Sequence, residues 1–379
     1  MRTAIALAMV GALTFCLSTF SEELKEGATF DLGGQKATLK KLDALPYVES
    51  DYTKRFKFDG ADNPKLKELR EKYKLDDVVA PGKDEFDKMV LLNDWTHQQF
   101  KKFGTPSANP KGALEILKSI DEGNTFFCAH YGQVMVSAAA SLGWVDRDIA
   151  LRRHQDSPKS GAPEHTVTEI WSNQYKKWVM LDPTANMYLE KDGVPLNSVE
   201  IRQDWFYNDG KGLVISIGKE RKKYKKVDLP IFLQRFPNFG DLTVDPHELE
   251  KYGFIGYVPN TNLMDAGEDY GKMFIVKDKL CDGTKWHERV NPANPAVDPY
   301  FPIGQAAVSL SPDGAALKVD LKTMTPNFKN YSVQIDGGGW KIAHEPIAWP
   351  IHAGANKMEV KTVNHFGVEG PVSTMEVEK

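Results

Sequence analysis

Residues 128–153, "CAHYGQVMVSAAASLGWVDRDIALRR", and residues 164–188, "EHTVTEIWSNQYKKWVMLDPTANMY", carry the change of period that decides the fold. In the first stretch Tyr131, Val134, Met135, Ala138, Ala139 and Leu142 recur every three or four residues, as on one face of an α-helix. Gly143 stands where a C-terminal cap belongs, so Cys128 opens a buried helix. In the second stretch the period drops to two. His165, Val167, Glu169 and Trp171 share one face of a strand, "SNQYKK" is a polar turn, and Trp178, Met180 and Asp182 share one face of the returning strand. A hairpin about that turn predicts His165 and Asp182 at the same end of neighbouring strands.

Outward from this core, the upstream chain reads as helices. Leu66, Leu69 and Tyr73 form one stripe, and Phe86, Met89, Val90, Leu92 and Trp95 form a broad apolar face. A third helix is predicted with Asn109 as N-cap, Pro110 in its first position and Leu114, Leu117 and Ile120 as its stripe. Residues 22–60 read as a short-stranded or irregular lead-in, and 61–230 as the main domain. Residues 231–304, rich in Pro, Asn, Gly and Asp, read as a loop-rich connector packed on it. The tail, 305–379, alternates in short runs between turns such as "SPDG" and "HAGAN", the pattern of a small β-sandwich of fibronectin-III or immunoglobulin type.

The chain starts "MRTAIALAMVGALTFCLSTFS": Arg2, an apolar run of 14 residues from Ala4 to Leu17, then small residues. A spanning helix needs about 20 residues, so residues 1–21 read as a secretory signal peptide and the protein as exported, secreted or periplasmic, without stable membrane insertion. A net charge of −4 gives no reason to expect a nucleic-acid partner. Of three cysteines, Cys16 lies in that leader, leaving Cys128 and Cys281, too few for a disulfide scaffold but able to pair with each other. No zinc, calcium or nucleotide motif is visible, so no metal or cofactor is expected.

Cys128 is therefore half of a disulfide, an inert buried thiol or a nucleophile. Nucleophilic chemistry needs the thiolate, which a helix N-terminus favours and an adjacent histidine generates, with a carboxylate orienting that histidine. Cys128, His165 and Asp182 stand in that order. Together with Leu142-Gly143, Arg147 or Arg152, Glu169 with Trp171, and Trp178 with Asp182-Pro183-Thr184, they resemble the core of the transglutaminase-like superfamily over roughly residues 60–205.

The resemblance implies an α+β fold, a papain-like core of N-terminal helices and an antiparallel sheet, here with the C-terminal β-sandwich. It also implies attack of a thiolate on a peptide, isopeptide or glycan-linked amide and a thioester intermediate. Cys128 would be the nucleophile, His165 the general base and then acid, and Asp182 the orienting group. Asn124 is a candidate oxyanion donor beside the Cys128 N–H, and His130, Tyr131 and Trp171 are candidate cleft residues. Ala129 and His130 stand where animal transglutaminases carry a tryptophan, and their calcium sites have no counterpart, which points to hydrolysis rather than cross-linking.

Two other readings use the same residues. A lyase on acidic, uronate-containing glycans would draw its base from His165, His130 or Tyr131 and its neutralising charge from "KERKKYKK", residues 219–226, a candidate contact for an acidic polymer. A non-catalytic binding protein would keep the fold with an unreactive Cys128.

Overall fold

The computed structural model describes residues 23–153, 164–236, 240–264, 273–276, 291–293 and 298–379. Residues 1–21, expected to be a signal peptide and including Cys16, lie outside the described residues, as does Cys281. The protein is mixed α/β with several antiparallel sheets.

At its centre helix Cys128–Ser141 lies across a six-stranded sheet. The strands run, in order, Asn291–Ala293, Phe274–Val276, Phe254–Tyr257, Asp146–Arg152, Glu164–Ser172 and Lys177–Leu181. Close contact depends on Gly132, where a Cβ would stand 2.3 Å from Asp148 Oδ1 and 3.3 Å from Thr166 Cγ2. The helix ends as its sequence predicts: Gly143 takes φ 83° and the Trp144 N–H donates to the Ala139 carbonyl at 3.0 Å.

The hairpin Glu164–Ser172/Lys177–Leu181 is buried on both faces. Ile170, Val179 and Leu181 pack toward Tyr131, Val134, Met135 and Ala138 of the helix and toward helices Pro64–Lys72, Glu85–Gln99 and Ala113–Asp121. On the other face Val167, Trp171, Trp178 and Met180 join Ile149, Leu189, Ile215 and Phe301 in a second core.

Two elements differ from the sequence reading. The third upstream helix begins at Ala113 behind Gly112, not at Pro110 behind Asn109. Gly112 takes φ 77°, and a Cβ there would stand 2.1 Å from the Met264 carbonyl, so this tertiary approach delays the helix start. The segment 231–304 is more than a loop-rich connector. It supplies three of the six central strands, one of which, Phe254–Tyr257, pairs antiparallel with Asp146–Arg152. These strands are three or four residues long, too short for a period to show.

Of the two forms expected for the lead-in, the stranded one is found. Thr29–Leu32 and Gln35–Asp43 form a hairpin whose second strand pairs with Ser373–Glu378. The C-terminal sandwich is thus built from both ends of the described chain: a six-stranded sheet faces the three strands Ala307–Asp313, Ala316–Lys322 and Ile347–Pro350. Leu32, Leu39, Leu317, Trp349, Met358 and Met375 fill the space between. This unit docks on the far end of the cysteine helix, where Asn364 Nδ2 donates to the Gly143 carbonyl at 2.9 Å.

Candidate active site

Phe127 precedes the helix in extended conformation, φ −114° and ψ 179°, with no side-chain cap bond, and Cys128 is the first helical residue. Of the first-turn N–H groups, that of His130 donates to the Phe127 carbonyl at 2.9 Å, while the helix offers those of Cys128 and Ala129 no partner, which leaves a partial positive charge beside the sulfur. Cys128 is a free thiol.

His165 is the second residue of its strand, and Asp182 follows the last residue of Lys177–Leu181. The register pairs Thr168 with Leu181 and Trp171 with Trp178. One step further sets Asp182 level with Val167 and makes His165 its diagonal neighbour on the same face, within reach of long side chains. His165 Nε2 and Asp182 Oδ2 are 2.8 Å apart. Asp182 Oδ1 is engaged elsewhere: it accepts the N–H groups of Thr184 at 2.9 Å and Ala185 at 3.0 Å. The carboxylate therefore caps its own turn and orients the imidazole at once. With Nε2 taken, Nδ1 is the nitrogen left for the Cys128 sulfur, which is hydrogen-bonded to the His165 side chain and to the Thr166 backbone N–H.

Electrostatics follow from this packing. Burial opposes charge on the Cys128 thiol, yet the hydrogen bond and charge of His165, with the Thr166 N–H, hold it below its ordinary value. Burial likewise opposes charge on His165, but Asp182 and the sulfur outweigh it and raise the imidazole to about 10. Asp182, despite its burial, is lowered by the His165 charge and by its hydrogen bonds to the imidazole and to the backbone of residues 184 and 185. All three shifts favour a thiolate–imidazolium pair backed by a carboxylate.

The three groups line a cleft of about 820 Å³. Phe103, Phe127 and Met187 contribute to its wall, and so do Leu242, Val244 and Phe254 of the segment expected to be a connector. Four of its charged members pair, Arg152 with Glu164 at 3.3 Å and Lys251 with Glu248 at 2.7 Å, and Asp245 accepts the Glu248 N–H at 3.1 Å.

Four further candidate residues fall elsewhere. Asn124 lies outside the cleft lining, where its Oδ1 accepts from Ser107 Oγ at 2.7 Å. His130 is buried between Phe126 and Phe127, with ring centroids 4.8 and 4.9 Å away, and burial lowers it to about 4. Tyr131 is fully buried and stacked on Phe100 at 3.6 Å. Trp171 packs edge-on to Trp178 at 6.0 Å in the core, its Nε1 donating to Asn173. Ala129 still lines the cleft, and from His130 onward the helix has turned inward.

Of Arg147 and Arg152, Arg147 is the partner of Glu169. The two are paired directly across strands, and Arg147 Nη2 reaches Glu169 Oε2 at 2.7 Å with both side chains fully buried. The guanidinium lies 4.0 Å over the Trp178 ring, and Glu169 Oε1 accepts from Ser198 N and the Tyr300 hydroxyl. In the basic run, Lys219, Arg221, Lys223 and Lys226 each face a carboxylate: Asp94, Asp87, Glu190 and Asp209. Asn93, Asp94 and His97 went unnoticed in the sequence. They hold the turn behind Asp182, and their signal is polarity on the inner side of an otherwise apolar helix. Among the described residues no group of three His, Cys, Asp or Glu side chains is placed to hold a metal ion, and no helix is long and apolar enough to cross a membrane.

No family model matches the chain, and no curated protein matches it. Among solved structures, a candidate cysteine protease from Cytophaga hutchinsonii is similar at 13% identity and TM-score 0.25, over 39% of this chain and 48% of that one. The chain thus spans about half the length of that protein. Red sea bream transglutaminase is similar at 12% identity and TM-score 0.27, over 88% of this chain and 76% of that one. At such scores the likeness carries no weight of its own, and the site stands on its geometry.

Proposed function

We propose that the protein is an exported, cysteine-dependent enzyme with a transglutaminase-like core that acts on an amide through a thioester. One observation carries the reading: a free thiol at a helix start, hydrogen-bonded to an imidazole whose other nitrogen is 2.8 Å from a buried carboxylate, in an open cleft.

The steps follow from the atoms. The Cys128 thiolate adds to the carbonyl carbon, forming C–S, and the carbonyl electrons move to oxygen. The Cys128 N–H, at the start of the helix, is the backbone donor for that oxyanion. Its collapse breaks C–N, and the His165 proton goes to the departing nitrogen. Water then loses a proton to His165 and adds to the thioester. Collapse breaks C–S, releasing a carboxylic acid and the thiolate. Hydrolysis is favoured over transfer because the His165 side chain, 12% exposed, faces a cleft open to water.

The lyase reading is weakened: of its three candidate bases only His165 lines the cleft, and four of the six cations of the basic run face carboxylates. The test is turnover of an unbiased peptide library with and without an amine acceptor, for wild type and Cys128→Ser. Carboxylic acid products that vanish in Cys128→Ser support thiol hydrolysis. Turnover that persists in the variant refutes it.

A further inference from the structure

Asp182 can brace His165 only if the turn that carries it is held still, and the turn is gripped from two sides. Its N–H groups are taken by the acid itself, Thr184 and Ala185 donating to Oδ1. Its ends are closed by Asp182 N–H to the Met187 carbonyl at 2.8 Å and Met187 N–H to the Asp182 carbonyl at 3.0 Å. Between them, the Pro183 and Thr184 carbonyls point to helix Glu85–Gln99, which presents Asn93, Asp94 and His97, all buried, while the Asn186 carbonyl accepts from the Gly218 N–H at 2.8 Å.

His97 Nδ1 lies 3.1 Å from the Pro183 carbonyl oxygen and 3.0 Å from that of Thr184. Both partners are acceptors, so Nδ1 carries the ring proton and shares it between them. Asn186, held at φ 50°, donates Nδ2 to Asp94 Oδ1 at 2.7 Å and accepts from Asn93 Nδ2 at 3.3 Å. Asn93 Nδ2 also faces the Asp182 carbonyl at 3.5 Å, the limit of hydrogen-bond reach. None of the three helix residues lines the cleft.

We infer that His97, assisted by Asn93 and Asp94, is a positioning residue for the candidate active site: it fixes the 182–186 turn so that Asp182 Oδ2 alone is aimed at His165. The inference rests on the thiol–imidazole–carboxylate reading above. It separates from mere packing, because a packing role alters stability while a positioning role alters how strongly His165 holds the thiolate. Besides one another, Cys128, His165 and Asp182 share their cleft with Arg152, Glu164, Asp245, Glu248 and Lys251, and behind them stand the hydroxyls of Tyr131 and Tyr252, which burial keeps neutral.

The test is the pH dependence of Cys128 alkylation by iodoacetamide in the full chain, for wild type, His97→Leu and His97→Asn. Leucine removes the donor, and asparagine returns an amide N–H near the Nδ1 position. The expected result is a wild-type midpoint well below that of an ordinary thiol, raised by about one pH unit or more in His97→Leu and brought back toward wild type in His97→Asn. A cooperatively folded His97→Leu with an unchanged midpoint overturns the inference, as do equal shifts in the two variants. Should His97→Leu not fold, Asn93→Ser is read in the same assay, where an unshifted midpoint overturns the clamp. An ordinary midpoint in the wild type overturns the active-site reading and the clamp with it.

Discussion

Two charged side chains stand on the same face of strand Glu164–Ser172: His165 near its open end and Glu169 toward its middle. Each meets an opposite charge at nearly the same distance, 2.8 Å to Asp182 and 2.7 Å to Arg147. Around Glu169 the site is sealed. Both carboxylate oxygens are committed, to Arg147, Ser198 N–H and the Tyr300 hydroxyl, and the guanidinium is covered by Trp178, Tyr257 and Tyr300. An arginine there cannot give up its proton, so the pair is a fixed structural joint. Around His165 one ring nitrogen is left for sulfur, the cleft admits water, and the cation can lose its proton. One strand thus holds both a joint and a reactive pair, and the difference lies in what surrounds each rather than in the ion pair.

The largest expected effect breaks the open site. Cys128→Ser lowers turnover by about three orders of magnitude or more while leaving the urea midpoint nearly unchanged, since the oxygen replaces a sulfur at a partly exposed position. Glu169→Gln does the reverse. It leaves the Arg147 charge buried without its carboxylate and costs about 3–5 kcal/mol of stability by denaturant titration. A variant that stays as stable as wild type would show that the joint is not what holds the hairpin.

Smaller effects sharpen the contrast through pH. His165 is raised when folded, so its contribution to stability is full below its unfolded value of about 6.5 and is lost as pH rises toward about 10. Asp182 is lowered when folded, so its contribution is present above an unfolded value of about 3.9 and is lost as pH falls through its folded value. The stability margin of wild type over Asp182→Asn is therefore widest between about pH 4 and 6.5 and narrows on either side, as denaturant titration across pH will read. Smallest is the exposed rim pair. Arg152→Gln, which removes the partner of Glu164, shifts stability by less than about 1 kcal/mol.

The parts of the fold legible in the sequence are those whose period is long enough to count. Helix Cys128–Ser141 and the following hairpin repeat cleanly over many residues, and with them came the meeting of Cys128, His165 and Asp182. Strands of three residues, such as Phe274–Val276, have no period, and their place in the central sheet is set by partners far away in the chain. The pairing of Gln35–Asp43 with Ser373–Glu378 is equally invisible, because alternation marks a strand but not its neighbour. Asn124 is near Cys128 in sequence, yet it lies outside the cleft lining, since nearness along the chain does not say where a loop side chain points. His97 was passed over because a polar residue on a helix reads as solvated until its carbonyl partners are known.

The central claim is that sulfur 128 is ionised where an ordinary thiol is not, because a braced imidazole holds its proton. Its most direct test is a thiol-probe titration of the wild-type protein across pH, with mass mapping of the modified cysteine. The account predicts modification at Cys128 with a midpoint clearly below about 8.5, the value of an unperturbed cysteine. A midpoint at or above that value, or a Cys128 that reacts only after unfolding, contradicts it.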